Sequence, residues 1–170
     1  MLSRRLLLVS LLCSLSTAHA AEPAAPLAPP KGKVVLTVKG NIGVHNKGNE
    51  AVLDMAMLSA LPQHSFTTNT PWSKEPLKFT GPKLIDVLNL LKAQGTTIKA
   101  AAINDYQITI PMEDASRFDV VVARLINDQP IPVRERGPLF VIYPFDSRAE
   151  LRASTYYERS IWQLKSLSIQ

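Results

Sequence analysis

From Leu139 to Tyr143 the chain reads Leu-Phe-Val-Ile-Tyr, with no polar residue and mostly β-branched or aromatic side chains. A half-exposed strand would alternate, so this run predicts a strand buried on both faces. Any fold for this chain must therefore supply cover on two sides of it. Ahead of the run stand Arg134, Glu135 and Arg136, then a Gly137-Pro138 turn, and Pro144 closes it. Two guanidinium groups at the mouth of a rigid strand suit a carboxylate or phosphate, which their planar donor forks match. The plain alternative is that they are solvated loop charges.

The N-terminus reads as a removable export signal over residues 1–20. Arg4 and Arg5 precede an apolar run from Leu6 to Leu15, and Ala18-His19-Ala20 is a small-x-small cleavage site. That run is too short to span a bilayer. Ser3-Arg4-Arg5-Leu6-Leu7 comes near a twin-arginine signal, and the leucines suit the general secretory route equally, so the route stays open. The expected location is the periplasm, with no membrane span in the mature protein. Arg4 and Arg5 leave with the signal and no acid does, so the formal charge falls from +5 to +3. So small a charge, with no basic run interleaved with aromatics, argues against nucleic acid as a partner. The single cysteine, Cys13, lies within the signal. The mature chain then has no disulfide, thiol nucleophile or thiolate metal ligand.

Residues 21–32 are rich in Ala and Pro and read as a flexible or extended linker. Residues 33–170 form one domain. Lys33 to Lys39 alternates as a first strand, followed by a Gly/Asn loop from Gly40 to Gly48. Asp54 caps a short helix from Met55 to Ala60. Ser65 to Thr70 is β-prone, and Trp72 sits in a loop reaching Phe79-Thr80-Gly81. The clearest helix runs from Pro82 towards a stop at Gly95, with Leu84, Ile85, Leu88 and Leu91 on one face. Thr97–Ile103 and Gln107–Ile110 are strands meeting at Asn104-Asp105-Tyr106. Glu113 to Phe118 is a helical turn, Asp119 to Ile126 a buried strand, Ser147–Arg152 a short polar helix and Ile161–Ile169 a last strand. The class is α+β: a mixed β-sheet or small barrel with one long helix and several short ones.

The order of these signals resembles the sulfite-oxidase molybdopterin-binding domain. Phe79-Thr80-Gly81 before a leucine-rich helix is similar to the family's W-x-G-x-x-L-x-x-L segment, and Asn104-Asp105-Tyr106 with Ile110-Pro111 to its D-G-Y…I-P hairpin. Val122–Pro132 with Gly137–Pro144 resembles its A-x-x-x-N-G-x-P-L…G-x-P-x-R-x-x-x-P stretch, and Arg159-Ser160-Ile161 its closing R-S-V strand. The resemblance implies a domain that holds molybdenum through a pyranopterin dithiolene and one protein thiolate, for two-electron oxygen-atom transfer. Protein groups supply position and charge and the cofactor supplies the chemistry. Two departures stand out. Where the family's cysteine belongs, this chain has Thr67 to Pro71, with Thr68, Asn69 and Thr70 facing the position. The family's pterin-contacting lysine falls on Trp162, three residues before Lys165.

These residues define the expected ligand or cofactor site: Thr68, Asn69, Thr70, Asp105, Tyr106, Arg136, Arg159 and Trp162. Arg136 and Arg159 are expected to approach one cleft beside an aromatic wall of Trp72, Tyr156, Tyr157 and Trp162. Against this stand blander readings. On these the tryptophans are core, the arginines pair with Glu135, Asp146, Glu150 and Glu158, and Asn104-Asp105 is turn chemistry. His45 and His64 are scattered and match no metal-ligand spacing. Two functions follow. One is an exported, non-catalytic binding or sensory module for a small anionic ligand, a pterin or a partner protein. The other is a molybdopterin-dependent oxidoreductase without a protein thiolate.

Overall fold

A computed structural model describes residues 27–170. The expected signal peptide and residues 21–26 of the linker lie outside them. The elements run β1 (Val34–Gly40), β2 (Ala51–Asp54), α1 (Met55–Ala60), β3 (Gln63–Thr68), β4 (Leu77–Pro82), α2 (Leu84–Leu90), β5 (Thr97–Ala102) and β6 (Gln107–Pro111). They continue with α3 (Met112–Arg117), β7 (Val121–Ala123), β8 (Leu125–Ile126), β9 (Gln129–Pro130), β10 (Phe140–Ile142), two 3-10 turns (Phe145–Ser147 and Ala149–Arg152), α4 (Ser154–Arg159) and β11 (Leu164–Ile169).

Five strands make the main sheet in the order β2-β1-β11-β5-β6. The first and last strands lie side by side and parallel, Thr37 opposite Ser166 through Gly40 opposite Ile169. Its other pairings are antiparallel, so the sheet is mixed. A second sheet runs β3-β4-β8-β9. None of these sheets closes on itself, so the barrel alternative gives way to open sheets.

The apolar run behaves as predicted in burial, with Leu139 to Tyr143 wholly enclosed. Its strand, β10, lies outside the large sheet and pairs antiparallel with β7, Phe140 opposite Ala123. Its other edge is met by the segment leading into β11: Val141 N–H donates to Ile161 O and Leu164 N–H to Leu139 O, both at 2.9 Å. Backbone partners on both edges and side chains over both faces leave no position where a polar residue would reach water.

The long helix is shorter than its periodicity suggests. α2 covers seven residues, with Leu84, Val87 and Leu88 buried. It ends where Lys92 turns left-handed, at φ 49°. Pro82 closes β4, and Gly95 serves a different purpose from helix termination. A Cβ there would lie 2.3 Å from the carbonyl oxygen of Gln170, where the chain crosses the end of β11. Strand β4 and helix α4 are absent from the sequence reading; β4 is formed by tertiary pairing, since it lies between β3 and β8.

The linker does not stay loose up to β1. The Lys31 and Gly32 N–H groups both donate to Asp54 Oδ2 at 2.8 Å, while Asp54 Oδ1 accepts from Met57 N–H as the cap of α1. One buried carboxylate therefore ties the approach to β1 to the start of α1. The Met57 amide first, then those of Gly32 and Lys31, hold its carboxyl below the usual range.

Candidate ligand site

The loop between β3 and β4 carries Trp72 onto the end of β10. Its ring meets Phe140, Phe145 and Tyr157 at centroid distances of 6.0, 6.1 and 6.2 Å, and meets Trp162 edge-on at 5.6 Å. Edge-to-face contact at these distances is the favoured aromatic geometry. The sequence contains only these two tryptophans, and both are here.

Two clefts open on either side of this cluster. The smaller, about 380 Å³, is lined by Trp72, Asn104, Tyr106, Tyr157, Trp162 and the backbone turn at Ser160-Ile161. The larger, about 630 Å³, is lined by Trp72, Leu77, the β8–β9 hairpin, Ile131, Pro132 and Arg136. That hairpin turns at Asn127 and Asp128, both with positive φ.

Arg136 stands at the boundary. Its guanidinium lies 5.8 Å from the centroid of the Trp162 ring, and Nη2 donates to the Trp72 carbonyl at 3.3 Å. Among the described residues no carboxylate lies within ion-pairing distance of it; the arginines so paired are Arg117, Arg148 and Arg159. Arg124, Arg134 and Arg152 also lack carboxylate partners; Arg134 and Arg152 are exposed, and the half-buried Arg124 donates to the Gln63 side chain at 2.8 Å, whereas the half-buried Arg136 bonds only a backbone carbonyl. Local backbone fixes it: a Cβ on Gly137 would lie 1.9 Å from Ile131 O, so only glycine lets residues 131 and 137 approach, and the Glu135, Arg136 and Gly137 amides all donate to Pro132 O.

The structure separates the other expected residues. Tyr106, half exposed, and Trp162 line the smaller cleft. Asp105 turns away, left-handed at φ 65°, and pairs on the surface with Lys165 at 2.9 Å. Arg159 does not join Arg136. Its Nη1 donates to Asp114 Oδ2 at 2.8 Å, and the Tyr143 hydroxyl donates to the same oxygen at 2.7 Å. Burial, then the neighbouring Asp114, pushes the Tyr143 phenol well above its ordinary range. Glu113 and Asp114 both stand in the first turn of α3, and Asp114 is one half of this ion pair. Tyr156 leaves the aromatic wall for the same reason: it packs on Phe118, Tyr143 and Arg159. Asn104, Gln129 and Ile131 went unassigned as lining residues, and the only signal for the latter two was the proline pair at 130 and 132.

The Thr68–Thr70 segment is occupied by its own contacts. Asp146 N–H donates to Thr68 Oγ1 at 3.0 Å, and Asn69 donates through its backbone and its side-chain amide to Asp146 Oδ2 at 2.6 and 2.9 Å. Those donors, the Asn69 backbone first, hold the Asp146 carboxyl below its usual range. Thr70 Oγ1 is buried and has no hydrogen-bond partner. These are hard hydroxyl and amide groups, which substitute poorly for a thiolate on a soft-ligand metal. Among the described residues no three His, Cys, Asp or Glu side chains converge as a metal site. The residues present therefore do not fit the metal half of a molybdenum cofactor. Trp72, Tyr106 and Trp162 present flat aromatic surface to the smaller cleft, and Arg136 lines the larger one.

The family model described as "Oxidoreductase molybdopterin binding domain" matches residues 34–146, from the first residue of β1 to the 3-10 turn beyond β10. The sequence matches no curated protein.

Proposed function

The chain belongs to the oxidoreductase molybdopterin binding domain family, and we propose that it uses this scaffold as an exported, non-catalytic module that binds a small planar anion of the pterin class. The observation that carries the reading is Arg136, a half-buried guanidinium without a carboxylate partner that lines the larger cleft and stacks on Trp162 of the smaller one. A half-buried cation facing aromatic surface gains most when an anion completes its donor set. The indole rings of Trp72 and Trp162 and the phenol of Tyr106 offer flat apolar surface for the rest of such a molecule. The segment that stands in place of the family's cysteine supports a role in binding, because Thr68 and Asn69 are bonded to the 3-10 turn at Phe145–Ser147. Export to the periplasm would set the module where it samples small molecules or reports to a partner protein there.

Both tryptophans belong to the site, so intrinsic fluorescence reports on it directly. Titration with pterin-6-carboxylate should quench the wild-type emission saturably. Arg136→Gln should weaken that binding at least tenfold with little change in melting temperature. Unchanged affinity in Arg136→Gln would remove the basis of the reading.

A further inference from the structure

Among the described residues Trp72 alone lines both clefts. We propose that its indole is a septum that selects ligands by length. In the closed arrangement the smaller cleft takes one compact ring system, and a longer molecule must displace Trp72 to run on into the larger cleft. The inference rests on the ligand reading above and extends it to what the site refuses.

Three observations support a septum over a fixed core residue. First, the ring is half-buried, with cleft on two sides and aromatic contacts on the others, so an outward swing exchanges its contacts with Phe140, Phe145, Tyr157 and Trp162 for solvent. Second, the loop that carries it is held lightly. Arg136 Nη2 reaches the Trp72 carbonyl at 3.3 Å, Ser73 N–H reaches Thr70 O at 3.4 Å, and Ser73 Oγ bonds only within the loop, to Glu75 O. By contrast the segment just before it is fixed by the short Asn69–Asp146 bonds. The loop can move as a unit about Thr70. Third, the Thr70 hydroxyl at that pivot is buried without a partner. A buried unpaired hydroxyl is unfavourable, and loop opening would let it reach water. The closed state thus carries a penalty that the aromatic contacts offset, which is how two arrangements come to lie close in free energy.

Arg136 sets the direction of the selection. It lines the larger cleft, bonds the Trp72 carbonyl and stacks on Trp162 of the smaller one. Arg136 itself lines only the larger cleft, and Glu158 lines the smaller, so on this proposal a ligand whose charge sits next to its ring would reach Arg136 around the edge of Trp162 with the septum closed. One whose ring is separated from its charge by a further aromatic group cannot.

The test compares pterin-6-carboxylate with folate, which carries the same bicycle extended by an aryl-glutamate, using calorimetry on the wild type, Trp72→Ala and Trp72→Phe. The wild type should favour the compact probe at least tenfold. Trp72→Ala should reduce that preference to threefold or less through a gain in folate affinity, with Trp72→Phe between. If Trp72→Ala does not fold by circular dichroism, Trp72→Phe must still shift the ratio towards folate at least twofold. Equal weakening of both probes, or an unchanged ratio, would make Trp72 a stacking surface and overturn the septum while leaving the ligand reading intact. Binding of neither probe to the wild type would overturn both.

Discussion

Arg159 and Tyr143 converge on a single oxygen, Asp114 Oδ2, one from the end of α4 and the other from the residue after β10. Asp114 is almost fully buried and Arg159 about one-fifth exposed. The pair joins α3 to the C-terminal end of α4, and the residues that follow, Ser160 to Trp162, form a wall of the smaller cleft. Arg159 is therefore a positioning residue for that wall, a role the basic pattern alone does not distinguish from direct contact.

Removing the carboxylate should be costly, because it strands a guanidinium and a phenol. Asp114→Ala is expected to destabilise the fold by about 3–5 kcal/mol, read by urea denaturation. Tyr143→Phe, which leaves the ion pair in place, should cost only about 1 kcal/mol. Equal losses in the two variants would mean the charge pair adds nothing beyond the phenol's bond.

Asp54 predicts a pH dependence. Its folded pKa lies below the ordinary carboxylate value of 3.8. The folded state thus releases this proton more readily than the unfolded state does. Its stabilisation is fully present above the ordinary value and is lost as pH falls through the lower, folded value. Asp54→Ala should lower the melting temperature at neutral pH and flatten the fall of melting temperature below about pH 4. Parallel melting curves for variant and wild type across that range would contradict the assignment.

Gly137→Ala should damage both fold and site, because its methyl would strike the Ile131 carbonyl. The expected loss is about 1–3 kcal/mol, together with weaker binding of an anionic probe as Arg136 moves. Chemical denaturation and the fluorescence titration measure the two separately.

Asp105 separates turn chemistry from ligand contact. Its left-handed backbone favours glycine, and its surface pair with Lys165 is worth less than about 1 kcal/mol. Asp105→Gly should leave stability within about 0.5 kcal/mol of the wild type and leave pterin-6-carboxylate affinity unchanged. A fivefold loss of affinity would return Asp105 to the site.

The donor set predicts that protein purified from cells making the molybdenum cofactor carries well under one molybdenum per chain. Elemental analysis with absorption spectroscopy checks this, and stoichiometric metal with a visible charge-transfer band would show that the site binds metal without a protein thiolate.

What could be read from the sequence was whatever local chemistry decides. The alternation of Leu36 and Val38, the Asp54 cap, the β5–β6 turn and the burial of Leu139–Tyr143 all rest on neighbours in sequence. The family likeness rested on motifs spaced along the chain and did not depend on any one contact. What could not be read was decided across long separations. Lys78 to Gly81 carries too few apolar residues to announce a strand, and becomes β4 only because β3 and β8 flank it. Arg136 and Arg159 look alike in sequence; a carboxylate 45 residues away takes one and leaves the other. The aromatic wall expected around Trp72 holds for Tyr157 and Trp162, whereas nothing in its loop announces Phe140 and Phe145.

The adjacency of β1 and β11 bears on how this molecule is made. The strand that β1 and β5 share as neighbour is built from Leu164–Ile169, which follow both of them in the chain. Until they arrive, the main sheet has a gap at its middle and two strand edges ready to pair with another chain. A polypeptide of this design cannot complete its sheet before β11 has joined it, so its open edges are suited to being covered by a chaperone until then.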